Sequence, residues 1–158
     1  MPGRCRGRSR RSAGRNPSRS SKATWPNRGK GRRWTRVAAV EGGPAGYVTV
    51  VWASADPEFR SAGVPEIMDL NVLPRFRRRG LGASLMAAAE QEAWMRAPIV
   101  GLRLGLHPGY GAAQRLYVRR GYMPDGTGVV VGGEPVAEGA EVRLDDEPTL
   151  RMTKRLAP

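Results

Sequence analysis

The chain has 158 residues, 40% of them hydrophobic, which fits one domain with a packed core. A single cysteine and a single histidine exclude a disulfide framework and argue against a zinc enzyme, because such enzymes hold the metal with several His or Cys ligands. The net charge is +13, yet 13 of the 27 basic residues lie in residues 1–36, which hold no acid, and the other 14 balance the 14 acids that follow.

The N-terminal segment differs in composition from the rest. Residues 1–33 are dominated by Arg, Ser, Gly and Pro and show no apolar periodicity, so they cannot offset the entropy lost on ordering. We predict a disordered arm over residues 1–33 and a folded domain over residues 34–158. Neither a signal peptide nor an apolar run of roughly 20 residues is found, so a cytoplasmic location without membrane contact is expected.

The folded part begins with strands. Residues 36–40 and 46–52 are rich in β-branched and aromatic side chains, and the Glu-Gly-Gly-Pro turn at 41–44 joins them into a predicted hairpin. Residues 56–65 are predicted to be a loop. Residues 66–73 alternate polar and apolar side chains, which predicts a strand with one buried face that ends at Pro74.

Helices and strands alternate in the second half. Residues 80–95 and 111–120 have apolar spacings typical of amphipathic helices, the first followed by Pro98 and the second closed by Gly121. Residues 100–106, 129–131 and 150–154 read as strands, and an acidic loop around residues 145–147 precedes the last one. The order ββ-β-α-β-α-β-β predicts an α/β (α+β) domain with right-handed crossovers.

The turn between the third strand and the first helix points to phosphate chemistry. A helix start presents unpaired N–H groups and the positive end of the helix dipole, which together suit a phosphate or pyrophosphate. Gly80 and Gly82 allow a ligand to approach the backbone, and the arginines at 77–79 raise the local potential. The spelling matches neither the Walker turn nor the dinucleotide fingerprint. A basic helix start that merely solvates its arginines is the alternative.

Two strings together resemble a known family. The string VLPRFRRRGLG at residues 72–82 resembles the V-x-P-x-x-R-x-x-G-x-G acetyl-CoA motif of the GNAT superfamily of N-acetyltransferases, with Arg77 at its anchor position. The string AQRLYVRRGY at residues 113–122 resembles the A-x-x-L-Y-x-x-x-G-[FY] segment of the same family. The resemblance covers about residues 36–156.

The resemblance implies a mixed, mostly antiparallel sheet with flanking helices that splays between strands 66–73 and 100–106. Acetyl-CoA would lie in that gap as a co-substrate, without a metal, and a bulge near residue 70 would direct an N–H at the thioester carbonyl. The backbone of the third strand would bind the pantetheine arm, and the amides from Arg77 to Ala83 would hold the pyrophosphate. The residues expected to contact the cofactor are Leu70, Val72, Arg77, Arg78, Arg79, Gly80, Leu81, Gly82 and Ala83.

The resemblance also implies the catalytic groups. Acyl transfer to an amine needs a base for the amine and a donor for the departing thiolate. Glu66 is the first candidate for the base and Asp69 the second, although strand carboxylates are commonly just part of a polar face. Tyr117 matches the donor to the thiolate, and packing on the sheet is its alternative role.

The chain departs from the family in two places. Tyr110 stands where many members carry an Asn that contacts the pantetheine, so that contact is in doubt. The strand and helices that usually precede the hairpin are replaced by the Arg-rich arm. That arm is a nucleic-acid-binding tail, a functionless extension, or the result of an incorrectly assigned start or frame.

These observations predict an acetyl-CoA-dependent N-acetyltransferase that acts on a primary amine of a small molecule or a peptide. The alternative is an acetyltransferase-like binding protein with weak catalysis, tethered to nucleic acid through residues 1–36. The sequence does not identify the acceptor or the oligomeric state, for which a homodimer is one option.

Overall fold

A computed structural model describes residues 31–157, so the predicted arm lies outside the described residues except for its last three positions. The strands of this part are β1 (Arg33–Val40), β2 (Gly43–Val51), β3 (Glu66–Val72), β4 (Ile99–Gly105), β5 (Met123–Val131), β6 (Glu134–Pro135) and β7 (Thr149–Arg155). Its α-helices are α1 (Pro57–Ser61), α2 (Leu81–Trp94) and α3 (Gly111–Arg119), and 3-10 turns cover Pro74–Phe76 and Pro108–Tyr110.

The strands form one sheet in the order β1-β2-β3-β4-β7-β5-β6. Each neighbouring pair is antiparallel except β3 and β4, which are parallel and are joined through α2. The expected mixed, mostly antiparallel sheet with flanking helices is therefore confirmed. No helix precedes the hairpin within residues 31–157, and none there is long and apolar enough to cross a membrane.

The two faces of the sheet have different surroundings. One face packs with α2 and with Tyr117 of α3 into the hydrophobic core, because alternate residues of the central strands point there. The strand residues of that core are Val48, Val50, Ile67, Val100, Leu102, Leu104 and Met152. The opposite face carries Glu66, Gly101, Arg103 and Arg151, which the register of β3, β4 and β7 places side by side. We call this the polar face.

The predicted loop at residues 56–65 contains a short helix, so that expectation is wrong over α1. Asp56 caps the helix, since its Oδ1 accepts hydrogen bonds from the amides of Glu58 and Phe59 at 3.0 and 3.3 Å, and Pro57 suits a first helical turn. Phe59 is buried against Gly101, where a Cβ would come within 2.6 Å of the ring. The helix thus covers the N-terminal half of β4 on the polar face.

The end of the chain also differs from expectation. The predicted strand at 129–131 begins at Met123 instead, and a two-residue strand, β6, turns back on it. The first part of β5 is exposed and contains two glycines. The apolar residues from which the strand was predicted begin only at Val129.

The parallel strands β3 and β4 meet at one point and then separate. Glu66 is the residue of β3 that pairs with β4, opposite Gly101, and the Gly101 amide donates to the Pro65 carbonyl at 2.9 Å. Beyond that point the described chain forms no further β3–β4 pairs, although β3 continues to Val72 and β4 to Gly105. A gap therefore opens between the two strands toward their C-terminal ends.

Candidate active site

The turn before α2 offers unpaired backbone amides at the mouth of this gap. Gly80 adopts φ 78° at the N-cap of α2, in the left-handed region that favours glycine, and Arg78 has φ 58°. The first backbone bond of the helix runs from the Ser84 amide to the Gly80 carbonyl at 3.0 Å. The amides of residues 78–83 have no acceptor in the part of the chain that the structure describes, and residues 77–80 are exposed. This arrangement fits a diphosphate.

Side chains fix the turn to the end of β3. The Nε of Arg77 donates to the Val72 carbonyl at 2.9 Å. The Phe76 ring is buried, with the guanidinium carbons of Arg75 and Arg79 at 4.7 and 5.7 Å from its centroid. These contacts hold the amides of the turn close to the strand that borders the gap.

The third strand has a bulge where the resemblance implies one. Thr49 of β2 pairs with Met68 and Tyr47 pairs with Asn71, so β3 contains one more residue than β2 between these pairs. Asp69 occupies the bulge with φ 55° and is exposed, and its carboxylate has no partner among residues 31–157. Bulges re-aim the groups beside them, and this one lies at the edge of the gap.

Tyr117 of α3 packs on the core face of the sheet. It is 9% exposed and packs against Tyr122, with a distance of 5.9 Å between ring centroids. Burial, assisted by the nearby Tyr110, raises the pKa of Tyr117 to about 12, so the hydroxyl keeps its proton at neutral pH. The described chain provides no hydrogen-bond partner for this hydroxyl, and the fully buried unpaired oxygen found there belongs to Tyr122 instead. Tyr117 therefore has a free donor.

Glu66 is in a different position from that of an exposed strand carboxylate. It is 1% exposed, its Oε2 accepts a short hydrogen bond from the Ser54 hydroxyl, and its Oε1 pairs with the Nε of Arg103 at 2.7 Å. The Ser54 hydroxyl in turn accepts from the Asp56 amide at 2.9 Å, and Asp56 pairs with Arg151 at 2.9 Å. We call these five residues the polar chain. The Glu66 carboxylate is thus buried with a hydrogen bond at each oxygen.

The polar chain was not predicted from the sequence. Its members are spread from Ser54 to Arg151 along the chain, and only the register of β3, β4 and β7 brings them to one face. Asp56 and Arg151 are 1% and 3% exposed, so each needs the other as a counter-charge. From the sequence, the polar and charged residues of these strands suggested a face exposed to solvent. In the structure, helix α1 covers part of that face.

Tyr110, which replaces the Asn of many family members, has its own set of contacts. A Cβ on Gly105 would come within 2.4 Å of the Tyr110 ring, so the ring takes the space beside the end of β4. Its hydroxyl donates to Asp146 Oδ1 at 3.1 Å, and His107 Nε2 lies 2.9 Å from the same oxygen. His107 Nδ1 accepts from the Gly109 amide at 3.1 Å, which places the ring hydrogen on Nε2.

A second ionic cluster joins the two helices of the core face. Glu90 of α2 accepts from Arg120 at 2.9 and 2.7 Å and from Lys154 at 2.9 Å. Burial alone would raise the pKa of Glu90, but the hydrogen bonds and charges of Arg120 and Lys154 outweigh it and lower that pKa. This cluster was not predicted from the sequence, because its members lie on α2, at the end of α3 and on β7.

Among residues 31–157 no group of three His, Cys, Asp or Glu side chains is arranged to hold a metal ion. Of the predicted site residues, Asp69, Leu70, Val72 and residues 77–83 lie on the separated part of β3 or in the turn that follows it, Tyr117 packs on the core face, and Glu66 lies in the polar chain.

Solved structures share this fold. The chain matches nourseothricin acetyltransferase at 24% identity, with 81% of this chain and 68% of that one covered and a TM-score of 0.60. It matches an aminoglycoside 6'-N-acetyltransferase complexed with coenzyme A at 17% identity, with 80% and 74% covered and a TM-score of 0.58. A ribosomal-protein-alanine N-acetyltransferase from Brucella melitensis matches at 22% identity, with 77% and 68% covered and a TM-score of 0.56.

At these sequence identities, the similarity to solved structures establishes only the fold. The family assignment comes from the sequence comparison. A search of curated proteins finds no match. The model of the acetyltransferase (GNAT) family, however, matches residues 8–122, which is most of the chain. Both the resemblance seen in the two motifs and the expected enzyme class, acetyl-CoA-dependent N-acetyltransferases, are confirmed. The chain belongs to the acetyltransferase (GNAT) family.

Proposed function

We propose that this protein transfers the acetyl group of acetyl-CoA directly to a primary amine of a small molecule or a peptide. Two observations support the proposal: the amides of residues 78–83 are unpaired beside the gap between β3 and β4, and the hydroxyl of Tyr117 has no hydrogen-bond partner within residues 31–157. Unpaired amides can bind a diphosphate, and a free hydroxyl can donate a hydrogen bond to a departing thiolate.

In this proposal the turn binds the pyrophosphate of the co-substrate. The amides of residues 78–83 donate hydrogen bonds, and the exposed arginines at 77–79 supply positive charge. The backbone of Leu70 and Val72 pairs with the pantetheine arm along the separated part of β3. Gly82 lies between this strand and α3, since a Cβ there would be in ordinary contact with Leu116 at 3.5 Å and Val72 at 4.0 Å.

Tyr117 stabilises the leaving group. As the amine nitrogen bonds to the acetyl carbon, the carbon–sulfur bond breaks and negative charge develops on the sulfur. The hydroxyl of Tyr117 donates a hydrogen bond to that sulfur, and the pKa of about 12 means that the hydroxyl keeps its proton while doing so. The thiolate then takes its proton from solvent.

Asp69 is favoured over Glu66 as the group that removes the amine proton. Asp69 is exposed at the bulge and its carboxylate is unpaired within residues 31–157, so an amine or a bridging water can reach it. Glu66 is buried and both its oxygens accept hydrogen bonds, so it serves to hold Arg103. The proton passes from Asp69 to solvent.

The acceptor class stays broad at this stage. The matched structures include a nourseothricin acetyltransferase, an aminoglycoside 6'-N-acetyltransferase and a ribosomal-protein-alanine N-acetyltransferase. We therefore keep both a small-molecule amine and a peptide amine in the proposal. The binding-protein alternative gains no support from the family match, because the matched family is one of enzymes.

The test uses the full chain and has two steps. Calorimetry with coenzyme A is expected to show one site per chain, and labelled acetyl-CoA with pooled amines is expected to yield an acetylated product. Binding without any product over a broad pool would contradict the enzyme proposal, and an absence of coenzyme A binding by a folded protein would contradict the site itself. A polyanion affinity that falls steeply with salt would instead favour the alternative.

A further inference from the structure

The side from which an acceptor approaches follows from the packing of the sheet. On the core face, α2 and Tyr117 of α3 pack against the strands. On the polar face, α1 covers β4 at Gly101, and further along β4 the Tyr110 ring lies against Gly105, while Arg103 between them is partly exposed. An acceptor amine that approaches the separated part of β4 from the polar face therefore meets Arg103.

Arg103 is the charged residue of β4 at that place. It follows Gly101, the last residue of β4 that pairs with β3, and its side chain lies on the same face because strand residues two apart point the same way. Its side chain is 29% exposed, while that of its partner Glu66 is 2% exposed. The guanidinium is therefore partly exposed, while the carboxylate that holds it is buried.

The guanidinium is held at one nitrogen and free at the others. Nε donates to Glu66 at 2.7 Å, and neither Nη atom has an acceptor within residues 31–157. Glu66 is itself fixed by Ser54, whose hydroxyl accepts from the Asp56 amide. Because the anchor belongs to the polar chain, Arg103 presents its two Nη atoms in a fixed orientation, which is the arrangement that binds a carboxylate with two parallel hydrogen bonds.

The charges around Arg103 set the polarity of the ligand. On the polar face, Asp56 and Arg151 are both buried, whereas in the pair of Glu66 and Arg103 the carboxylate is buried and the guanidinium is partly exposed. Across the gap, the exposed carboxylate of Asp69 on β3 has no partner within residues 31–157. The gap thus has a cationic group on β4 and an anionic group on β3, a pattern that complements a ligand with an amine at one end and a carboxylate at the other.

We infer that Arg103 binds a carboxylate of the acceptor, and that the acceptor is an amino acid or another amine with a carboxylate a few bonds from the reacting nitrogen. This inference rests on the proposed acetyl transfer and narrows its substrate class. Arg103 acts as a specificity-determining residue, and the acetyl-CoA site is the same with or without it.

The test compares amino acids with their amides as acceptors. At neutral pH the amide form has the larger fraction of neutral amine, since its amine pKa is lower, so intrinsic reactivity favours the amide. A carboxylate-binding Arg103 predicts the reverse, with kcat/KM about 10-fold or more higher for the free acid, as expected for a charge-assisted contact of about 1.5–3 kcal/mol.

The decisive variant removes both partners of the ion pair. In Glu66→Gln/Arg103→Gln no buried charge is left alone, and the ratio of kcat/KM for acid over amide is expected to fall to within about three-fold of one. Arg103→Lys keeps the positive charge but loses the paired Nη donors, so it is expected to retain part of the preference for the free acid. Arg155→Gln, at the exposed far end of β7 on the same face, is the matched control and is expected to leave the ratio unchanged.

The outcomes separate this inference from the proposed function. A wild-type preference for amides, or a ratio that the double variant does not change, overturns the role of Arg103 while acetyl transfer stands. If no amine is acetylated, the proposed function fails, and an NMR titration of the coenzyme A complex with glycine then decides the inference. Shifts of the Arg103 Nε–H signal support it, and their absence overturns it.

Discussion

Arg120, which follows the last residue of α3, holds Glu90 of α2 through two parallel contacts, Nε to Oε1 at 2.9 Å and Nη2 to Oε2 at 2.7 Å. The third nitrogen of the same guanidinium donates to the Ala83 carbonyl at 3.3 Å. Ala83 belongs to the first turn of α2, and Tyr117 lies three residues before Arg120. The pair therefore fixes the helix that carries the free hydroxyl to the helix that carries the free amides.

Glu90→Gln is expected to lower the free energy of unfolding by about 1–3 kcal/mol at neutral pH, because it leaves the partly buried Arg120 and Lys154 without their counter-charge. The pKa of Glu90 is lowered in the folded protein. Its contribution is thus present above the ordinary Glu pKa and is lost as the pH falls through the folded value. Denaturant titrations at several pH values check this, and the difference between variant and wild type should shrink in acid.

Asp145→Asn is the matched control for that measurement. Asp145 pairs with Arg143 at 3.4 Å, and the Arg143 side chain is 90% exposed, so solvent screens the pair. We expect its free energy of unfolding to match that of the wild type. An equal effect of the two variants would show that Glu90 has no special part in the fold.

Tyr117→Phe is expected to lower kcat by about 10- to 100-fold and to change the Kd of coenzyme A by less than about three-fold, because the hydroxyl acts on the departing sulfur. Steady-state kinetics and calorimetry check the two quantities separately. A variant with wild-type kcat would remove Tyr117 from the mechanism.

The raised pKa of Tyr117 sets its behaviour in alkali. Burial raises the pKa to about 12, so the hydroxyl stays protonated well above the ordinary value for tyrosine of 10.0. Its donor function should persist above pH 10, and the associated stability is complete below the unfolded pKa and is lost as the pH rises toward the folded one. Absorbance titration of the phenolate, wild type against Tyr117→Phe, measures this directly.

Asp69→Asn and Glu66→Gln distinguish the two candidate bases. Asp69→Asn is expected to reduce kcat/KM most at low pH, where few acceptor amines are already neutral, with little change in stability because the residue is exposed. Glu66→Gln is expected to lower the free energy of unfolding by about 1–3 kcal/mol, since it uncouples Arg103. A pH-independent ratio of Asp69→Asn to wild type would contradict the assignment of the base.

Arg77→Gln is expected to raise the Kd of coenzyme A by about 5- to 20-fold, because it removes both a positive charge at the turn and the contact with the Val72 carbonyl. The effect should diminish at high salt, since exposed charges are screened. Calorimetry at two salt concentrations tests this, with Arg143→Gln as an exposed arginine outside the turn. Equal Kd values for the two variants would argue against the turn as the phosphate site.

Asp146→Asn is expected to loosen the segment before β7 without affecting the rest of the fold. The hydrogen bonds from His107 and Tyr110 lower the pKa of Asp146, so the contact is present above that pKa and is lost as the pH falls through it. Hydrogen exchange of residues 141–148 should rise while the melting temperature stays the same. Glu138→Gln, in the same segment, serves as the control, and an unchanged exchange rate would contradict the role of this contact.

The parts of the proposed site that lie in one continuous stretch could be proposed from the sequence. The turn at residues 77–83 and the candidate donor Tyr117 are each indicated locally, by glycines at a helix start and by a helical motif, and the alternation of strands and helices along the chain follows from periodicity. The short helix α1 was missed because five residues are too few to show a helical period. Asp56 followed by Pro57 is nevertheless a pair typical of a helix start.

The surroundings of Glu66 required the structure. No local pattern indicates that a strand glutamate will be paired with an arginine 37 residues later and hidden beneath a helix. The burial of such groups depends on the register of three strands, which is fixed only when the sheet forms. For the same reason the partners of Glu90 and Tyr110 could not be found in advance.

The separation of β3 from β4 also bears on how the protein resists unfolding. The backbones of the three strands before the gap and the four after it are joined directly at one place, beside Glu66, so the molecule consists of two sheet segments with a weak seam. A ligand that fills the gap and forms hydrogen bonds with both strands replaces the backbone pairs that β3 and β4 lack there. At a free concentration of 100 times its Kd, such a ligand adds about 2.7 kcal/mol to the free energy of unfolding. Proteolytic lifetime would then depend on the supply of the acetyl donor.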